Sequence, residues 1–185
     1  MKKTVLLSIT ILLMSMFACQ VKQTNTKELE VKKISELEKQ VYDTTTFELK
    51  KPVADNLVKL YGEFAENYQN DSLTPVYLFK KADLLAQMKQ FNQSIKIYDN
   101  IYKNYPDFNQ RPEALFLEAT LYDNVLKNTA MAAEKYREFI KVFPNHELTD
   151  DAEKSLQFLG KSPEEIIKIL QQSADSTKHD SLESR

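Results

Sequence analysis

The chain has 185 residues, with 25 Lys and Arg against 27 Asp and Glu and a formal net charge of −2. That balance supplies neither the basic face that grips nucleic acid nor a polybasic patch for anionic lipid. Two glycines in the whole chain exclude glycine-rich phosphate loops and argue against hairpin-rich β folds, whose tight turns need glycine.

Lys2 and Lys3 precede an uncharged apolar stretch from Val5 to Ala18, and Cys19 follows. A membrane span needs ~20 apolar residues, so this shorter stretch reads as the core of a signal peptide. Ser15-Met16-Phe17-Ala18-Cys19 resembles a bacterial lipobox, with Met16 and Phe17 standing where Leu and a small residue are usual. The resemblance implies cleavage after residue 18 and lipidation of Cys19, with palmitate among its acyl chains. Lipidation also accounts for a single cysteine in an exported chain, where thiols otherwise pair. Several acyl chains on one residue anchor a protein stably. Residues 1–18 are thus expected to be a lipoprotein signal peptide and 19–26 a polar tether. Losing Lys2 and Lys3 takes Lys and Arg from 25 to 23 against an unchanged 27 acids, leaving the mature chain at −4.

A charged helix is expected from Lys27 to Tyr42, with Val31, Ile34, Leu37 and Val41 as a narrow apolar stripe, able to dock on one neighbour or to pair in a short coiled coil. Asp43-Thr44-Thr45-Thr46 breaks it, which puts this element at 27–46. After Pro52 the spacing of Val53, Leu57, Leu60, Tyr61, Phe64 and Tyr68 places them on one helical face. Leu78, Ala82 and Leu85 make the next buried stripe, and Phe91, Ile95, Tyr98, Tyr102 and Tyr105 the one after.

These helices repeat. Pro75 and Pro112 are 37 apart, as are Ala82 and Ala119 and also Tyr61 and Tyr98, while Tyr98 to Tyr136 and Pro106 to Pro144 are 38 apart. A period of that size with two helices per unit means an all-α helix-turn-helix solenoid. Small residues inside the first helix (Ala82, Ala119) and early in the second (Ser94, Ala132) let helices approach closely. The aromatics Phe91, Tyr98 and Tyr136 fill the gaps, and Pro106 and Pro144 stop the second helix. This pattern resembles the tetratricopeptide repeat (TPR), departing from it in Lys81 and Glu118, which stand at a position usually apolar. The longer period, closing on Tyr-Pro or Phe-Pro, resembles the repeats of envelope lipoproteins such as the BamD outer-membrane assembly family and the YbgF family of the Tol-Pal system. The resemblance implies a right-handed array of antiparallel helix pairs, assigned to residues 47–160. Ser162-Pro163-Glu164-Glu165 then reads as the start of a capping helix over 161–172, whose Ile166, Ile167, Ile169 and Leu170 should cover the end of the array. Residues 173–185 are polar and expected to be disordered.

Chemistry is scarce. His146 and His179 are the only histidines, with no metal-spaced partners, so neither a metal, a cofactor nor an enzyme activity is expected. Asp150-Asp151 complements a helix N-terminus, and with no Trp a glycan-stacking platform lacks support. The family resemblance instead implies a concave groove lined by the first helices of each repeat. Mapped residue by residue, its candidates are Phe79, Asp83 and Gln87 in one repeat and Phe116, Thr120, Asp123 and Asn124 in the next. The expected function is a lipid-anchored protein-binding adaptor of the bacterial cell envelope, holding an extended segment or helix of a protein partner. Gln20 after Cys19 fits outer-membrane sorting with the domain facing the periplasm. The alternatives are a structural protein that self-assembles through residues 27–42, and a lipoprotein that captures glycans or other small molecules.

Overall fold

Helix ends are set by prolines and local turns, and the computed structural model describes residues 26–172. Helix α1 covers 26–38, followed by α2 (Lys51–Asn67), α3 (Leu73–Gln87), α4 (Phe91–Asn104) and α5 (Arg111–Thr120). A π-helical segment (Leu121–Val125), α6 (Thr129–Val142) and α7 (Thr149–Phe158) come next, and α8 spans 163–172. The protein is all-α. Among the described residues the only β feature is an isolated antiparallel bridge between Tyr42 and Leu49. Pro52 and Pro112 sit in the first turns of α2 and α5, where a missing N–H costs nothing. The expected signal peptide, tether, Cys19 and disordered tail lie outside the described residues. No helix among those described is long and apolar enough to cross a membrane.

Compact packing divides the chain after Met88. In the first unit α2 packs on α3, and α1 closes the core. Ile34 and Val41 are buried with Leu57, Tyr61, Phe64 and Tyr77. Phe64 meets Tyr77 edge-on with centroids 4.7 Å apart, and Tyr61 stacks on Tyr77 at 5.5 Å. Each large side chain so buried contributes roughly 1.5–3 kcal/mol. Polar pins hold α1 in place. Glu38 accepts hydrogen bonds from Tyr61 Oη and Lys80 Nζ, both at 2.8 Å, and Lys27 pairs with Asp71. The helix is shorter than expected, ending at 38 rather than 42. The reason is local: Asp43 Oδ1 accepts from the N–H groups of Thr45 and Thr46, and this Asx turn, with the Tyr42–Leu49 bridge, competes with helix. Of the two uses expected of the stripe, docking on a neighbour is the one realised, within this unit.

In the second unit each helix packs on the next, α4 on α5, α5 on α6 and α6 on α7. Ala119, Ala132 and Ala152 are 0 % exposed, small side chains of the kind that let packed helices come close. Leu115, Tyr136 and Phe139 fill the core around them. Arg111 donates through Nε to the Tyr102 carbonyl at 2.8 Å while its guanidinium lies over the Tyr102 and Phe143 rings. α8 begins as expected: Glu165 N–H donates to Ser162 Oγ, and Ser162 N–H donates to Glu165 Oε2 at 2.7 Å, the reciprocal capping box. Its apolar face is only partly used, however. Ile166 and Ile169 are half-buried, whereas Ile167 is 55 % and Leu170 52 % exposed. The expectation that all four cover the end of the array is corrected: residues 166 and 169 recur every third position on one face, and 167 and 170 on the adjoining one.

Candidate binding groove

The second unit holds a groove of about 780 Å³. Phe116, Thr120, Asp123 and Asn124 line it from α5 and the π segment. Opposite them stand Asp151, Lys154 and Phe158 of α7, with Lys161 and Ile166 beyond. Tyr136 of α6 also reaches it.

Its apolar part is an aromatic cluster. Phe116 is half-buried and meets Tyr136 and Phe139 edge-on, at 5.8 and 5.6 Å between centroids. Thr120 is anchored to its own helix through Oγ1 and the Phe116 carbonyl at 2.9 Å, leaving the Tyr136 hydroxyl 3.5 Å away. The polar wall follows from how α5 ends. Leu126 N–H bonds to the Leu121 carbonyl at 3.0 Å, a five-residue reach that widens the helix by one residue. Lys127 then takes a left-handed backbone with φ of 54°, and Asn128 caps α6 by accepting from Met131 N–H. Burial raises the pKa of the Asp123 carboxyl, and nearby Lys127 opposes that rise. On the far wall Lys154 pairs loosely with Asp151 at 3.9 Å. Lys127 and Lys161 also line the groove.

The spacing of the repeats explains the π turn. From Ala82 to Lys89 is seven residues, but from Ala119 to Lys127 is eight. Lys89, like Lys127, ends a helix in the left-handed conformation, with φ of 61°. The period therefore lengthens from 37 to 38 between Ala119 and Lys127, and Leu121–Val125 is where the extra residue is absorbed. The sequence carried this signal as a shift in period. Reading the two periods as one average hid it.

The remaining candidates lie in the first unit. Phe79 is buried, at 7 % exposed, so it is core and not a groove wall, as befits a large apolar side chain. Asp83 is half-buried and Gln87 exposed, and Gln87 Oε1 accepts from the Tyr42 hydroxyl at 2.5 Å. Sequence reasoning missed Asp151, Lys154, Phe158 and Lys161, because α7 follows the second full repeat and carries little of the repeat pattern.

One further feature of the second unit was visible only as an oddity. Glu118 is 2 % exposed. Its Oε1 lies 3.1 Å from Lys135 Nζ, which also stands 3.3 Å from Asp99 Oδ1. The three side chains join α4, α5 and α6. Burial pushes the Glu118 carboxyl up to about 7 against the opposing pull of Lys135. Its Oε2 has no hydrogen-bond partner.

Residues 77–107 and 113–146 match the tetratricopeptide repeat family. The chain carries tetratricopeptide repeats. The first matched repeat runs through α3 and α4, and the second through α5, the π segment and α6. No match to a curated protein was found. Such repeats are generally non-catalytic and typically bind protein partners. The candidate groove borrows one wall from the second matched repeat and the other from α7, beyond it.

Proposed function

We propose that the protein is a protein-binding adaptor, lipidated at Cys19 and held on the envelope membrane with its repeats facing the periplasm, in the manner of the BamD and YbgF lipoproteins it resembles. The observation that carries the reading is the groove beside Phe116. An aromatic floor, a polar wall and a π turn meet at one place, and π turns are enriched at functional sites. A groove of this size takes a few residues of an extended segment or one face of a helix.

The test is crosslinking recovery from native membranes. Changing Thr120, Asp123 and Asn124 together to Ala touches no fully buried residue, so the melting temperature should hold while partner recovery falls about tenfold, the loss of one modest anchor. Undiminished recovery would remove the groove from the reading. Anchoring is tested separately: Cys19→Ala should leave an unprocessed or unacylated form, and identical migration and fractionation would end the lipoprotein assignment.

A further inference from the structure

Phe47 combines two unfavourable features. It is 78 % exposed, and its φ of 58° holds a bulky side chain in the left-handed region, where only glycine rests without strain. Yet the loop around it is well made. Asp43 N–H donates to the Glu48 carbonyl at 2.9 Å, Phe47 N–H to the Asp43 carbonyl at 3.0 Å, and Lys50 N–H to the Val41 carbonyl at 2.8 Å. With the Asx turn at Asp43, these bonds fix a closed loop that presents Phe47 to solvent. Strain kept at an exposed aromatic ring argues for a use outside the fold.

The surroundings say what the ring docks on. Among the described residues of the first unit, the exposed large apolar side chains are Leu29, Tyr42 and Phe47. All three lie in α1 or the loop after it, and α2 and α3 add none. Helix α1 begins seven residues after Cys19 and rises only ~18 Å along its length, so apolar exposure is concentrated in the stretch next to the expected anchor. Thr44, Thr45 and Thr46 beside Phe47 are exposed and uncharged, with hydroxyls suited to a headgroup layer. A stable interface with another protein buries on the order of 1,000 Å² around a broad apolar core. A single protruding ring needs only a bilayer.

We propose that Phe47 inserts into the surface of the bilayer that carries the Cys19 lipid, as a second contact beside the acyl chains. The proposal rests on the anchoring reading. Taking a phenylalanine side chain out of water shifts an equilibrium roughly 10- to 150-fold, too little to hold a free protein on a membrane. The acyl chains keep the loop near the surface, where one more contact acts as an intramolecular one. The insertion is apolar, not electrostatic: Lys50 pairs with Asp43 at 3.5 Å and Lys51 with Asp55 at 2.7 Å, so these lysines are matched by acids of the protein itself. Glu48 follows Phe47 and is exposed. It limits entry to about the depth of one ring, since a carboxylate is costly to carry into hydrocarbon. Two contacts orient the first unit on the membrane, where the lipid alone would let it swivel.

The chain has no tryptophan, so Phe47→Trp in the full lipidated protein gives a single reporter at an exposed site where folding is not at stake. Vesicles of phosphatidylcholine, with and without added phosphatidylglycerol, supply the bilayer. Flotation reads the anchor, and Trp emission reads the loop. The expected result is a blue shift on vesicles, with quenching by lipids brominated on their acyl chains, protection from aqueous acrylamide, and no dependence on phosphatidylglycerol. Cys19→Ala should abolish flotation and the shift together. Flotation with the emission unchanged overturns the insertion and leaves the anchor standing; absent flotation of the parent overturns both. A blue shift without vesicles, or only on adding other membrane proteins, would assign the ring to a protein pocket and overturn the proposal, as would a shift that requires phosphatidylglycerol.

Discussion

Phe79 and Phe116 stand 37 residues apart at the same place in two repeats, yet the first is buried core and the second borders a groove. Lys81 and Glu118 make a second such pair. Lys81 is half-buried, and its Nζ lies only 2.6 Å from where a Cβ on Gly62 would stand, so the glycine in mid-helix leaves room for the lysine stem. Glu118 instead sinks between three helices and pairs with Lys135, which also holds Asp99. The small residues are alike in both repeats: Ala82 and Ala119 are each 0 % exposed. The template thus fixes where helices touch, and the positions it leaves free take different roles in the two repeats.

The shared part breaks hardest. Ala82→Glu and Ala119→Glu each force an unpaired charge between packed helices, and each should cost about 4 kcal/mol or more. Urea denaturation would show it, and a fully stable variant at either site would break the equivalence of the two repeats.

The specialised part should break on one side only. Lys135→Met leaves Glu118 buried with no cation within 4 Å, a change expected to cost about 3–5 kcal/mol. Lys81→Met should stay within about 0.5 kcal/mol, since Lys81 is only half-buried. Equal losses would mean that Lys81 is as structural as Lys135.

Much of this was legible in sequence, and the limits are instructive. Pro75, Pro112, Ala82, Ala119, Tyr98 and Tyr136 announced the helices and their register because each acts through local sterics or close packing. Phe116, Thr120, Asp123 and Asn124 fall on one groove because they share a helix face and its continuation. What α7 brings to the groove was not legible, since Lys154 and Phe158 are placed by tertiary packing. Glu118 was legible only as a departure from pattern. Its meaning depends on Lys135 and Asp99, 17 and 19 residues away on either side, meeting in space. The exposed half of α8 shows the converse error: four apolar residues in a short helix were taken as one face when they form two.

The ion pair also sharpens the comparison through pH. The Glu118 carboxyl is raised from 4.5 to about 7, so between those values the folded state binds the proton more tightly than the unfolded one. Stability from this group therefore rises as pH falls through that window, by up to about 3 kcal/mol. Asp99 is shifted the other way by Lys103 and Lys135 despite its partial burial, and its contribution fades only in more acidic solution. Glu118→Gln removes the effect. Its stability advantage over the parent near pH 7.5 should shrink toward zero by pH 4.5, and a difference flat across that range would show that Glu118 is ionised throughout.

The smallest expected effect lies at the two lysines that end α3 and the π segment. Lys89 and Lys127 hold φ of 61° and 54°, where a side chain is strained by about 1–2 kcal/mol and glycine is not. Glycine returns part of that gain, about 0.5–1 kcal/mol, through the greater freedom of the unfolded chain. Lys89→Gly and Lys127→Gly should each stabilise the protein by about 0.5 kcal/mol, a rise of ~1–2 °C in melting temperature. Equal gains are expected because the backbone geometry is nearly the same in both. They diverge in function, since of the two only Lys127 borders the groove: its loss should lower partner recovery from membranes, and the loss of Lys89 should not. Retaining lysine at a site that favours glycine then has a reason at position 127, where strain is kept in exchange for a rim charge. Partner recovery indifferent to Lys127→Gly would return that lysine to the same standing as Lys89.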